Sequence, residues 1–104
     1  MRRVVRVEAK AKAELQAAID WYEEQSVGLG MSLHDAIDDV LRRLRITPDG
    51  STPVPGVSAE LGVRRVFTSR FPYAVVYIVR AEVVDVIAFA HESRRPSYWL
   101  DRIR

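Results

Sequence analysis

The chain contains no cysteine, which excludes a disulfide framework and a thiolate metal site, and with them the secreted mini-protein and zinc-module readings. No stretch approaches the ~20 consecutive apolar residues of a membrane helix. The segment Met1 to Val7 is arginine-rich but lacks the long apolar run of a signal peptide. These absences lead us to expect a protein of the reducing cytoplasm, with no membrane association and no metal or other cofactor. Internal repeats and low-complexity segments are also missing. Lysine is scarce: fourteen of the sixteen basic residues are arginine, whose planar guanidinium suits bidentate contacts with phosphate or carboxylate.

At 104 residues the chain matches one domain spanning residues 1–104, of a size that buries roughly 60 to 70% of its unfolded surface. Its 48% hydrophobic and 29% charged content is that of an ordinary globular fold. The net charge is only +2 but is unevenly distributed. From Met1 to Arg45 eight basic residues meet eight acidic ones, whereas from Arg64 to Arg104 eight arginines face four acids. The unbalanced positive charge therefore lies in the C-terminal part.

Arg3 to Val7 is valine-rich and predicts an edge or joining strand. From Ala9 to Gln25, Leu15, Ala18, Ile19 and Tyr22 recur at the spacing of one helix face. Gly28 and Gly30 are expected to break that helix. A second helix is predicted from Ser32 to Arg45, with Leu33, Ile37, Val40, Leu41 and Leu44 along one side. Its Asp35, Asp38 and Asp39 precede Arg42, Arg43 and Arg45, which complements the helix dipole and places Asp38–Arg42 and Asp39–Arg43 one turn apart. We read that cluster as helix stabilisation. Thr47 to Gly62, rich in proline and glycine, is expected to be an irregular connector. Val63–Thr68, Tyr73–Val79 and Val83–Ala90 read as strands. The Arg80-Ala81-Glu82 link is short enough for a hairpin. The expected fold is α+β: an N-terminal strand, a two-helix antiparallel hairpin, a three-stranded antiparallel meander and a short C-terminal helical turn.

Trp21-Tyr22-Glu23, Gly28-Leu29-Gly30, Val63-Arg64-Arg65, Phe71-Pro72-Tyr73, and His91 through Arg94-Arg95-Pro96-Ser97-Tyr98-Trp99 follow one another in an order that resembles the RelE/ParE superfamily of type II toxins. The resemblance covers almost the whole chain. It implies a toxin held inactive by a cognate antitoxin in a hetero-oligomer. The target it implies is DNA gyrase if the chain is ParE-like, or the ribosome and its messenger RNA if RelE-like.

Metal-free RNA cleavage requires a base, an acid and cations around the phosphate. His91, Arg65 and Tyr73 are the candidate catalytic set for that chemistry. RelE-like nucleases usually carry an arginine after the tyrosine of the central strand, whereas Tyr73 is followed here by Ala74, so the ParE-like reading is favoured. Candidate target-binding residues are Arg64, Arg65, Arg70, Arg94, Arg95, Tyr98, Trp99 and Arg102, and Trp21 is a candidate antitoxin contact.

Each candidate also has a structural reading. His91 would be a strand-end histidine bonded to a loop, and Tyr98 and Trp99 would cover the sheet's wet face. Strand alternation sends Arg64 and Arg65 to opposite faces; if Val63 and Phe67 face the helices, Arg64 lies on the open face. A non-toxic module whose arginines dock a protein or nucleic acid is the third functional class.

Overall fold

A computed structural model describes residues 3–103. Strand β1 (Val4–Val7) leads into helix α1 (Ala9–Gln25) and then helix α2 (Leu29–Leu44). A short strand β2 (Thr52–Pro53) precedes β3 (Val63–Phe67), β4 (Tyr73–Arg80) and β5 (Val83–His91). Turns of 3-10 helix lie at Pro48–Gly50, Ala59–Leu61 and Tyr98–Arg102.

The fold is α+β, but the sheet has five strands in the order β1-β5-β4-β3-β2 rather than a three-stranded meander. β3, β4 and β5 do form the antiparallel centre. β1 pairs parallel with β5, from Val4 opposite Val83 to Val7 opposite Val86. Inside the expected irregular connector, Thr52 and Pro53 pair with Arg65 and Arg64. Proline is tolerated there because β2 is an edge strand. Repetitive apolar patterning announces neither contact, since β1 and β2 are short and find their partners far along the chain.

The helical stripes behave as their spacing predicts. Leu33, Ile37, Val40 and Leu44 of α2 are buried with Ala11 and Ala18 of α1 against Val75, Tyr77, Val84, Val86 and Phe89 of the sheet. Each fully buried large aliphatic side chain contributes about 1.5–3 kcal/mol. Arg42 Nη1 donates to Asp38 Oδ2 at 2.7 Å, and Arg43 lies 3.6 Å from Asp39. The arginines of α2 are thus engaged with its own acids.

Gly30 does not break a helix: it lies within the first turn of α2. Only Gly28, at φ 89°, sits in the left-handed conformation between the helices. A Cβ on Gly30 would stand 2.6 Å from the Ile19 carbonyl oxygen, so the missing side chain is what lets the two helices approach. Glu23 completes the corner, its carboxylate accepting from the N–H groups of Gly28 (2.9 Å) and Gly30 (3.0 Å). It thereby satisfies donors that a helix start leaves without intrahelical partners.

The other face of the sheet carries a second cluster. Val63, Val76, Ile78, Ile87 and Ala88 are covered by Val54 of the connector and by Trp99 of the C-terminal turn, which is 3% exposed. Asp85, 1% exposed, is held by Arg6 of β1 (3.0 Å) and Arg80 of β4 (3.4 Å), joining three neighbouring strands.

Gly30→Ala should destabilise the protein by about 1–3 kcal/mol in urea unfolding, because the added methyl forces two packed helices apart. Gly50→Ala, where a Cβ meets no atom within 4 Å, should stay within about 0.5 kcal/mol of the parent. Equal effects at the two sites would contradict the close-approach role of Gly30.

Candidate functional site: an arginine-lined groove

The central strands do not keep one alternation throughout. Val76 pairs with Ala88 but Tyr77 pairs with Val86, so Ile87 is the extra residue of a β-bulge. Before it Val84 and Val86 face the helices; after it Phe89 does, while Ile87, Ala88 and Ala90 belong to the opposite face. A bulge of this kind re-aims every later side chain. It brings His91 to the helix side with Tyr73, whose ring meets the imidazole edge-on at 5.0 Å.

On the face away from the helices, a groove of about 400 Å³ runs between the connector and the C-terminal segment. Arg65, Phe67, Ala74, Arg94, Arg95 and Tyr98 line it, with His91 at its end. Arg65 shares this face with Val63 and Phe67. The three thus face away from the helices, and Arg64 lies on the helix side, where its Nη1 donates to the Ser51 carbonyl at 2.5 Å. Arg65 stands over the Phe67 ring at 5.1 Å and Arg94 over the Tyr98 ring at 3.9 Å, both within cation–π range. Its large apolar part and convergent polar groups are the usual composition of a binding site.

The groove depends on a residue that sequence patterning passes over. Glu14, in the middle of α1, accepts from the Phe89 N–H (3.2 Å), from the Tyr98 hydroxyl (2.5 Å) and from both terminal nitrogens of Arg102 (2.9 and 3.0 Å). Arg102 Nη1 also donates to the Ile87 carbonyl at 3.0 Å. Bidentate Arg–carboxylate geometry is the strong form of ion pair. Hydrogen bonding to Glu14 holds the Arg102 guanidinium above its already high pKa. Burial, and then the hydrogen bond to Glu14, pushes the Tyr98 phenol well above its ordinary value of 10.0.

The remaining candidates separate. Arg70, at φ 71° in the β3–β4 turn, lies over Phe71 and does not line the groove. Trp99 is core, and Arg102 is committed to Glu14. His91 Nδ1 accepts from the Ser93 N–H at 3.0 Å and lies 2.7 Å from the Ser93 hydroxyl. Of the possible nuclease set, Arg65 and Tyr73 lie on opposite faces of the sheet, with His91 at the strand end bordering both.

Trp21, 55% exposed, lines a second cleft of about 310 Å³ between α1 and β5. Its ring is edge-on to Tyr22 at 5.0 Å, and Tyr22 in turn meets Phe71 at 5.1 Å. Thus the Trp-Tyr and Phe-Pro-Tyr segments meet in space.

A sequence profile described as the ParE toxin of type II toxin-antitoxin systems, parDE, matches residues 5–96. The chain belongs to the ParE toxin family. Among curated proteins, none matches the chain in sequence. Among solved structures, the fold of this ParE-family chain is similar to one described as the chromosomal ParDE TA system from P. aeruginosa, with a TM-score of 0.70 and 18% identity. The similarity covers 86% of this chain and 96% of that one. In this family member no helix among the described residues is long and apolar enough to cross a membrane.

Glu14→Ala should lower stability by about 2–4 kcal/mol, since it strands a partly buried guanidinium, a hydroxyl and a strand N–H together. The raised Tyr98 pKa fixes the sign of a pH effect. The fold prefers the neutral phenol, so its contribution is whole below pH 10.0 and is lost as pH rises past that value towards the folded pKa. Stability should therefore decline above that pH, and less steeply in Tyr98→Phe. Tyr73 and Tyr77, also raised by burial, add to the slope in the same direction. Identical alkaline profiles for parent and Tyr98→Phe would disprove the assignment to Tyr98.

Proposed function

We propose that this toxin acts by binding DNA gyrase through the arginine-lined groove and is neutralised by a cognate antitoxin. The observation that carries the reading is the division of the groups required for RNA cleavage. Arg65 lies in the groove while Tyr73 lies behind the sheet, and Ala74 occupies the groove position beside them. Apart from His91 at its end, the groove is lined by guanidiniums and rings suited to holding a partner rather than cutting one. The cleft around Trp21, where Ala17, Ala18, Tyr73 and Phe89 meet Glu14, His91 and Arg94, is the antitoxin contact. An exposed tryptophan beside a concave surface has the character of an interface anchor.

In a supercoiling assay the purified toxin should inhibit gyrase and accumulate cleaved DNA complexes. Arg94→Ala combined with Arg95→Ala should weaken inhibition about tenfold or more. Inert behaviour towards gyrase, together with cleavage of ribosome-bound messenger RNA, would transfer the function to a ribosome-dependent nuclease. His91, which borders the groove, would then be the residue whose removal abolishes cutting. Harmless expression without an antitoxin would favour a non-toxic binding module.

Trp21→Ala should leave the fold intact and weaken antitoxin binding by about 2 kcal/mol, roughly thirtyfold. Titration calorimetry measures this directly, and an unchanged affinity would place the antitoxin elsewhere.

A further inference from the structure

Arg65 carries a demand that the chain does not meet. Its Nε is shut off from solvent and has no hydrogen-bond partner among the described residues, although buried donors in folded proteins are almost always paired. Arg94 and Arg95 line the same groove, and none of the three forms an ion pair with a described residue. Glu92 is the acid bordering the groove, and it is exposed. The site is thus a concentration of uncompensated guanidinium groups with an unanswered donor.

Its rings narrow the chemistry. Phe67, 55% exposed, stands at the groove with the Arg65 guanidinium 5.1 Å from its ring centroid. Tyr98 lies beneath Arg94, so that its ring supports a second guanidinium. Guanidiniums alternating with aromatic faces recognise a phosphate backbone and unpaired bases together. An acidic peptide would answer the charge but leave the Phe67 ring uncovered. At about 400 Å³ the groove falls in the range of small-ligand sites, roughly 300–1,000 Å³, which admits a splayed nucleotide and excludes a duplex.

We propose that the groove binds a single nucleic-acid strand, with Arg65 and Arg94 holding phosphates and Phe67 stacking on a base. This inference rests on the reading that the groove is the surface meeting the toxin's target. Glu14 and Arg102 serve it as positioning residues by fixing the Tyr98 ring on which Arg94 lies.

The test is fluorescence anisotropy of the full chain with labelled single-stranded DNA and RNA of one sequence, the corresponding duplex, and a glutamate-rich peptide. The single strands should bind most tightly. Their log affinity should fall with log salt at a slope of about −0.7 for each phosphate neutralised. Arg65→Ala should weaken binding about tenfold and make that slope shallower by about 0.7. Phe67→Ala, at an exposed ring, should weaken binding about tenfold with the slope unchanged. Preference between DNA and RNA identifies the source of the strand.

Absence of single-strand binding, tighter binding of the acidic peptide, or affinity indifferent to both substitutions would overturn the proposal. Gyrase inhibition without strand binding would remove this inference and leave the gyrase reading standing. Strand binding without any effect on gyrase would support the inference and remove that reading.

Discussion

The carboxylate of Glu14 is the point on which the two faces of this protein depend. The ladder of β1 along β5 ends where the Glu8 N–H donates to the Val86 carbonyl. Beyond that point Arg102 meets the Ile87 carbonyl and Glu14 meets the Phe89 N–H. A charged pair thus takes over from a strand at an edge that would otherwise offer unpaired backbone groups to another chain. The same pair anchors the C-terminal turn, and through it Trp99 covers the sheet and Tyr98 forms a wall of the groove. Packing, edge protection and the placement of the candidate site converge on one ion pair between the first helix and the last turn.

The bulge at Ile87 is the second constraint, and it sorts the chemistry. By adding one residue to β5 it sends Phe89 and His91 towards the helices. His91 thereby joins the aromatic series Trp21, Tyr22, Phe71 and Tyr73 on that side. Arg65 and Arg95 remain with the groove on the other, and Arg94 lines both that groove and the second cleft. Positive charge and the histidine–tyrosine pair, adjacent in the family-like segments of the chain, are thereby allotted largely to different surfaces.

At the far end of the helical hairpin, two small requirements are met together. Gly30 supplies room for the Ile19 carbonyl, and Glu23 supplies acceptors for the first N–H groups of α2. The Trp-Tyr-Glu and Gly-Leu-Gly segments therefore belong to one corner, where close approach and capping depend on each other. With the corner set, the apolar stripes of α1 and α2 lie side by side on the sheet, and Trp21 is left on the rim of the second cleft.

Local pattern determined much of this protein. The 3.6-residue recurrence of Leu33, Ile37, Val40 and Leu44 specifies a buried helix face, the β-branched runs specify the three central strands, and the acid-to-base order within α2 specifies pairs one turn apart. Each depends on residues within a few positions of one another. The tertiary structure alone decided the parallel partnership of β1 and β5, the strand within the connector, the bulge and hence the direction of His91, and the face taken by Arg65. It also decided the part played by Glu14, which on α1 reads as one more solvated acid. Its partners lie 75 to 88 residues away, and no local periodicity carries the position of a side chain that only folding brings near.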